Sequence, residues 1–399
     1  MNNHYWNELL VNDAFTNTHK NRYLAFDIDQ GGLNNIRMVF EYAVVIAAIT
    51  RRTLILPPAQ PWYLINQARM GKAEGSTDLA DVFELSAIDN AMPFLTTNEF
   101  CQTAAHHLKI PNQFLQQTFD ETLEYDRLQE WRQWLLHNSE ILDWNSYESL
   151  LCYPDIKRAL RGPHMSDLYR ANRKLRELTP RMLASPIIYL PSDNNHRSLG
   201  PVATMLATET EHLPRLCRRL LKHHVRYRDE VFAWAEKIRH WLQLDDFNAF
   251  HIRRNDFQYK QTRLDVDRIH SNVQSLISKD KPLYVATDET DPEFFRQLAS
   301  FFKVPKVYTI SDWLPRVDQD FPYVWEGLVE QAICARASRF IGTDLSTFSA
   351  YINRLRGYIQ VADQGCYYHT IDYNDGIHEE MPFHGREYLR ENPLFWQDC

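Results

Sequence analysis

The sequence is poor in cysteine and glycine, with six cysteines and only 12 glycines among 399 residues. No two cysteines form a C-x-x-C pair or show metal-ligand spacing, and a chain of this length does not need disulfides to build a core. We therefore expect mostly free thiols at Cys101, Cys152, Cys217, Cys334, Cys366 and Cys399. Hydrophobic residues make up 44% and aromatic residues 13%, which indicates a well-packed globular protein.

Long apolar runs and a positive charge balance are also missing. No run approaches the roughly 18 apolar residues of a membrane-spanning helix, and the N-terminus lacks the basic and apolar regions of a signal peptide. We expect a soluble, cytoplasmic protein unless a leader has been removed. The formal charge of −8 argues against nucleic acid or an anionic membrane as the main partner. The basic segment 215–228 is interpreted as a solvated helix face.

Several catalytic signatures are absent. The sequence has no P-loop lysine, no G-x-S-x-G and no G-x-G-x-x-G. The 16 histidines are scattered, and adjacent pairs such as His106 and His107 diverge on a helix, so they do not share a metal. We expect neither a metal nor a cofactor.

Strand and helix patterns alternate in two parts of the chain. Residues 23–29 read as a buried strand, 36–49 as a helix apolar on nearly every face, and 53–58 as a second strand. A further strand is expected at 186–191. A second alternating series supplies predicted strands at 248–253, 282–287, 306–310 and 339–343. The pattern predicts an α/β protein with two doubly wound sheets.

The length predicts two domains, because domains usually contain about 100–200 residues. We place the N-terminal domain at 1–235 and the C-terminal domain at 236–365. The aromatic tail, 366–399, is expected to pack back on the N-terminal domain.

The first polar loop that follows a predicted strand is "DQGGLNNIR". Gly31 and Gly32 permit close backbone approach, and Asn34, Asn35 and Arg37 offer hydrogen-bond donors. Ligands of open α/β sheets bind beyond the carboxyl ends of strands, where such loops lie. A tight turn without a ligand explains this loop equally well.

The second polar loop, "HIRRNDF", places Arg253 and Arg254 directly after an apolar strand. Burying a guanidinium is costly unless an anion meets it. Because side chains alternate along a strand, one arginine faces a ligand and the other makes a structural pair, with Asp256 as its expected partner.

The third polar loop, "IGTDLSTFSAY", sets Gly342, Thr343, Ser346, Thr347 and Ser349 where a helix begins. Backbone and hydroxyl donors at a helix N-terminus suit phosphate oxygens. An ordinary Ser/Thr helix cap is the competing interpretation. In one sheet, the second and third loops together indicate a diphosphate held by arginine and backbone donors.

In this order and spacing, the segments "GGLNNIRMVFEYAVVIAAITRRTLILPP", "FNAFHIRRNDF" and "FIGTDLSTFSAYINRLRG" resemble the GDP-fucose protein O-fucosyltransferase family, over about residues 23 to 360. The resemblance implies a GT-B architecture of two Rossmann-like domains facing across a cleft. It also implies a metal-independent enzyme that transfers L-fucose, with inversion, from GDP-fucose to a hydroxyl of a protein or glycan acceptor.

The resemblance further implies roles for individual residues. Arg253 is the arginine that holds the β-phosphate and stabilises the leaving GDP, and Asn35 lies near the fucose and its acceptor. Ser346, Thr347 and Phe348 form the donor-binding "STF". The expected donor-binding residues are Gly31, Gly32, Asn34, His251, Asp256, Asp288, Glu330, Thr343, Ser346, Thr347 and Phe348.

The chain departs from the family pattern at two positions. Asn255 replaces the glycine of "RRGD", and Gly31 stands where some members carry a glutamate base. Asp29 is then the candidate base, unless the acceptor proton passes to the leaving phosphate.

Three alternatives stay open at this stage. One is a fucosyltransferase that acts on an oligosaccharide or small molecule, and another is a GDP-sugar-binding protein that lacks catalysis. The third and most distant is a nicotinamide-dependent dehydrogenase.

Overall fold

The computed structural model describes residues 18–63, 75–116, 119, 125–142, 149–152, 174–193, 197–199, 206–207, 212–255, 257–314, 321–361, 366–368, 391 and 396. These residues form two compact units that divide between Tyr227 and Arg228. The predicted boundary after residue 235 falls inside a helix, Asp229–Trp241, which belongs wholly to the second unit.

The secondary structure consists of short strands and mostly longer helices. The strands are β1 (Tyr23–Phe26), β2 (Thr53–Leu56), β3 (Phe94–Thr96), β4 (Glu140–Ile141), β5 (Ser149–Cys152), β6 (Lys174–Glu177), β7 (Ile187–Leu190), β8 (Leu206–Ala207), β9 (Asn248–Ile252), β10 (Leu283–Thr287), β11 (Val307–Tyr308), β12 (Arg339–Gly342) and β13 (Cys366–Tyr367). The α-helices are α1 (Leu33–Ile49), α2 (Leu79–Val82), α3 (Leu85–Asp89), α4 (Thr97–Leu108), α5 (Asn112–Gln116), α6 (Tyr125–Asn138), α7 (Pro180–Ala184), α8 (His212–His224), α9 (Asp229–Trp241), α10 (Val266–Val273), α11 (Pro292–Phe302), α12 (Glu326–Ala335) and α13 (Thr347–Tyr358).

The N-terminal unit is built on a five-stranded parallel sheet with the order β3-β2-β1-β7-β4. Helix α1 packs against one face, and α4 and α6 cover the other with Phe100 and Trp131. Every residue of α1 except Asn35 is buried, because α1 lies between the sheet and α8. This confirms the prediction of a helix that is apolar on nearly every face. Strands β6-β5-β8 form a small separate parallel sheet.

The C-terminal unit has a second five-stranded parallel sheet with the order β11-β10-β9-β12-β13. Helices α10 and α11 bury one face through a cluster that includes Phe250 and Leu298, while α12 packs on the other face. Since both faces are covered, the strands are largely apolar and do not alternate regularly with polar residues. The predicted α/β fold with two Rossmann-like units, each built on a parallel sheet, is confirmed.

The described residues of the tail pack on the C-terminal unit. Strand β13 pairs with β12, and the buried Glu391 carboxylate accepts a hydrogen bond from Arg354 Nη2 at 2.7 Å. The Trp396 ring lies 4.1 Å from the Arg354 guanidinium carbon. The expected packing on the N-terminal unit is wrong for these residues, because α13 supplies their partners.

Three of the six cysteines have described side chains: Cys101, Cys217 and Cys334. They are buried free thiols, as expected. Burial raises the pKa of Cys101 to about 12, so this thiol stays protonated at neutral pH. Within the described part of the chain, no helix is long and apolar enough to cross a membrane.

Candidate functional site

The carboxyl ends of β9 and β12 are joined through Thr343. Its hydroxyl donates to the His251 carbonyl at 2.8 Å and accepts from the Arg253 backbone N–H at 2.9 Å. Parallel neighbouring strands end at the same edge of a sheet, so these contacts place the second and third polar loops side by side. Thr343 itself is fully buried.

A neutral histidine supports this junction from beneath. His251 Nδ1 lies 2.6 Å from Ser349 Oγ, which also accepts from the Thr343 N–H at 2.9 Å. The Phe348 ring stacks on the imidazole with a centroid separation of 4.5 Å. Burial lowers the pKa of His251 to about 3, and the charge of Arg253 adds to the effect. The imidazole is therefore uncharged at neutral pH and carries no positive charge that would attract an anion.

Gly342 permits the close approach of β12 to the start of α13. A Cβ at this position would lie 2.7 Å from both Cβ and Oγ of Ser349. Real Cβ contacts are not this short, so a side chain here would displace Ser349 and with it the contact to His251. The third loop therefore needs glycine for steric reasons.

The N-terminus of α13 has the features of an anion site. Ser346 is the N-cap residue, but its side chain makes no capping hydrogen bond. The competing interpretation of an ordinary Ser/Thr cap is thus not what the structure shows. Thr347 and Phe348 open the helix, where backbone N–H groups and the helix dipole favour a negative ligand. Leu345, just before the cap, has a left-handed backbone with φ of 60°.

Asp288, at the end of β10, orients the arginine loop. Its Oδ2 lies 3.1 Å from Arg253 Nε, and its carboxylate accepts the backbone N–H groups of Arg254 at 2.7 Å and Asn255 at 3.2 Å. The Asn255 side-chain amide also donates to the Asp288 carbonyl. Asn255, which replaces a family glycine, is thus part of the network that shapes the loop. The Arg253 side chain is 24% exposed.

Arg254 is the structural member of the arginine pair. Its Nε lies 3.0 Å from Glu289 Oε2, and its guanidinium carbon lies 4.6 Å from the centre of the Phe294 ring. The expected partner, Asp256, lies outside the described residues.

Glu330 is placed on α12, where it is buried. Burial and, secondly, the charge of Glu330 hold the pKa of Tyr284 and of Cys334 well above their ordinary values. Helix α12 reaches the third loop through the next residue, since the Gln331 amide donates to the Phe348 carbonyl at 3.1 Å. Glu330 is therefore a buried residue of α12, the helix that packs against β10.

In the N-terminal unit, Asp29 is bound to Arg197. Arg197 Nε and Nη2 donate to the two carboxylate oxygens at 2.9 and 2.6 Å. Asp29 Oδ1 also accepts the Gly31 N–H at 2.7 Å. A Cβ at Gly31 would lie 2.3 Å from Asn35 Nδ2 and 2.9 Å from Arg197 Nη2. Gly31 is therefore closely surrounded by the ends of polar side chains, which a Cβ at this position would displace.

The start of α1 contains a buried polar chain. Arg37 donates to Asn34 Oδ1 at 3.4 Å and pairs with Glu41 at 2.6 Å, and both charged side chains are almost fully buried. Glu41 is thus the structural partner of Arg37. Asn35 is half-buried and points its amide toward the Gly31 backbone.

Asp27 belongs to a second polar cluster at the same edge of this sheet. It accepts hydrogen bonds from the Tyr189 hydroxyl at 2.6 Å and Arg132 Nε at 3.2 Å. Burial raises the pKa of Asp27, although these donors act in the opposite direction. Arg132 also donates to Gln60 at 3.1 Å, which joins α6 to the loop after β2.

Sequence reasoning did not single out Arg197. The polar stretch "SDNNHRSLG" after β7 is visible in the sequence, but its arginine is 168 residues from Asp29. The only available signal was that both residues follow predicted strands. Among the described residues, no group of three or more His, Cys, Asp or Glu side chains could hold a metal ion.

Comparison with known proteins identifies one family. Residues 23–359 match GDP-fucose protein O-fucosyltransferase. No curated protein matches the chain.

Solved structures give weaker likenesses. POFUT1 in complex with GDP-fucose is 13% identical with a TM-score of 0.47, covering 88% of this chain and 99% of that one. The fucosyltransferase NodZ from Bradyrhizobium is 13% identical with a TM-score of 0.43, covering 84% and 94%. NodZ α-1,6-fucosyltransferase co-crystallised with GDP has a TM-score of 0.41 at 13% identity, covering 84% and 93%.

Proposed function

Since the chain belongs to the GDP-fucose protein O-fucosyltransferase family, a family of transferases that use GDP-fucose, we propose that it transfers L-fucose from GDP-fucose to an acceptor hydroxyl with inversion and without a metal. The acceptor oxygen attacks the anomeric carbon of fucose, and the bond from that carbon to the β-phosphate oxygen breaks. GDP leaves with the bonding electrons, so negative charge builds on the diphosphate.

The observation that supports this proposal is the junction through Thr343. It holds the Arg253 backbone and the loop before α13 at one sheet edge, so the residue that carries the cationic side chain adjoins the loop that leads into the helix. Both features stabilise the charge that develops on departing GDP, and they do so more in the transition state than in the ground state. Asp288 fixes the direction of Arg253 through its Nε.

The remaining donor residues receive supporting roles. His251, Thr343 and Phe348 hold the shape of the diphosphate loop, and the hydroxyls of Ser346 and Thr347 offer donors to phosphate oxygens. Glu330 is proposed to support the donor site indirectly, because α12, the helix that carries it, contacts the third loop.

Asn35, with Asn34 and the Gly31-Gly32 backbone, is proposed to contact the fucose and its acceptor, as the family resemblance implies. The contacts of Asp29 do not support its expected role as the base, because Arg197 and Gly31 occupy both oxygens. We assign the acceptor proton to the departing diphosphate instead. The acceptor itself is proposed to be a protein or glycan hydroxyl.

Titration and turnover together test the function. GDP and GDP-fucose should bind when titrated by calorimetry, with UDP as the control nucleotide, and binding should survive EDTA. GDP should then be released from GDP-fucose when a hydroxyl acceptor is supplied. Binding without turnover on any acceptor would support a GDP-sugar-binding protein, and absence of GDP binding would contradict the donor assignment.

A further inference from the structure

We propose that Arg197 is a positioning residue that locks the Gly31-Gly32 loop through Asp29, and that Asp29 anchors this loop rather than acting as the base. This inference rests on the proposed function, whose sugar-side loop it concerns. The loop connects β1 to α1. Arg197 reaches it from the segment that follows β7, the parallel neighbour of β1.

The pair has the geometry of a strong charge-assisted contact. Two guanidinium nitrogens meet two carboxylate oxygens at 2.9 and 2.6 Å, which fixes both the distance and the plane of Asp29. The Asp29 side chain is completely buried, whereas that of Arg197 is 36% exposed. A buried carboxylate without its partner is strongly destabilising, so the arginine is required wherever Asp29 is ionised.

The contacts from Arg197 to Asp29 and from Asp29 to Gly31, here called the lock, hold the backbone of the loop. Asp29 Oδ1 accepts the Gly31 N–H at 2.7 Å, so the arginine, the carboxylate and the loop backbone form one continuous chain. On the same glycine, the position of a Cβ lies 2.3 Å from Asn35 Nδ2. The Asn35 amide is therefore set by the loop that Arg197 holds, and Arg197 acts on the reaction through Asn35.

The same contacts explain why Asp29 does not act as the general base. A general base must present an oxygen to the proton that it removes. Asp29 Oδ1 already accepts two hydrogen bonds and Oδ2 accepts one, all from fixed donors of the lock. The residue is also only 2% exposed. Its carboxylate is thus placed to hold the loop and not to take a proton from an acceptor.

A double-mutant cycle tests whether Asp29 and Arg197 act as one unit. Asp29→Asn, Arg197→Gln and the double variant are compared for kcat, for the acceptor KM and for GDP affinity. If the lock exists, each single variant should lower kcat by about 10–100-fold. The double variant should have a kcat no lower than that of either single variant, and GDP affinity should change by less than about twofold. Asp193→Asn, which removes an exposed acid from the same segment as Arg197, is the control and should retain full kcat.

Two outcomes would overturn the proposal. If Arg197→Gln keeps wild-type kcat while Asp29→Asn is inactive, Asp29 is a base and no lock exists. Additive losses in the double variant would likewise exclude a shared function. The double variant leaves no uncompensated buried charge, so it serves as the folded reference if Arg197→Gln does not fold.

Amide hydrogen exchange tests the lock independently of any activity assay. Peptides that span residues 27–36 should exchange faster in Arg197→Gln and Asp29→Asn than in wild type or Asp193→Asn. Unchanged exchange would contradict the lock. If wild type releases no GDP, the proposed function fails, yet this readout still decides whether the lock exists.

Discussion

Acidification should destabilise the C-terminal unit through His251. The pKa of His251 is about 3 in the folded protein, against about 6.5 for an unperturbed histidine. Below pH 6.5 the unfolded chain therefore binds a proton that the folded chain does not bind. The stability that depends on a neutral His251 is complete above pH 6.5 and is lost as the pH falls toward 3.

The magnitude follows from the same two pKa values. Between pH 7 and pH 5 the linkage amounts to about 2 kcal/mol, and each further pH unit down to about 3 removes about 1.4 kcal/mol more. His251→Asn keeps a polar group near Ser349 but does not titrate. It should be less stable than wild type at pH 7, because the stack on Phe348 is lost, yet it should lack this part of the pH dependence.

Amide hydrogen exchange of β9 at pH 7, 6 and 5, corrected for the intrinsic effect of pH, measures the relevant free energy in the unit that contains His251. His240→Asn is the matched control, since His240 is exposed on α9 of the same unit and should leave the wild-type pH dependence intact. The reasoning is refuted if wild type and His251→Asn lose the same free energy between pH 7 and pH 5.

Two further substitutions test the loops individually. Gly31→Ala would bring a Cβ within 2.3 Å of Asn35 Nδ2, so transfer should fall at least about tenfold while GDP affinity in calorimetry is retained; unchanged transfer would show that the loop tolerates a side chain. Leu345→Gly should raise the free energy of unfolding by about 0.5–1 kcal/mol in urea titrations, because a left-handed backbone with φ of 60° is costly for leucine, and a decrease would contradict this assignment of strain.

The sheets could be predicted because their strands are buried on both faces. Segments such as 23–29 and 248–253 are apolar without alternation and end in polar residues, which is the pattern of parallel strands in an α/β fold. The same reasoning located Arg253 and the start of α13, since both directly follow strands. Local sequence was sufficient wherever the neighbours of a residue on the chain also set its environment.

Partners that are distant along the chain could not be predicted in this way. Arg197 contacts Asp29 across 168 residues, and Arg254 pairs with Glu289, which follows the neighbouring strand β10. Glu391 packs on Arg354 because α13 carries a buried guanidinium that needs a carboxylate. Composition indicates that such charges need partners, but only the fold determines which partners lie nearby.

Arg253→Ala tests the central claim most directly, with GDP release from GDP-fucose as the assay. We expect the variant to fold as wild type does and to lose about 100–1000-fold in transfer rate, since one fixed donor to a developing anion contributes about 2.7–4 kcal/mol. Arg296→Ala, which removes an equal charge from an exposed site on α11, should retain full activity. Wild-type transfer by Arg253→Ala would contradict the donor site described above.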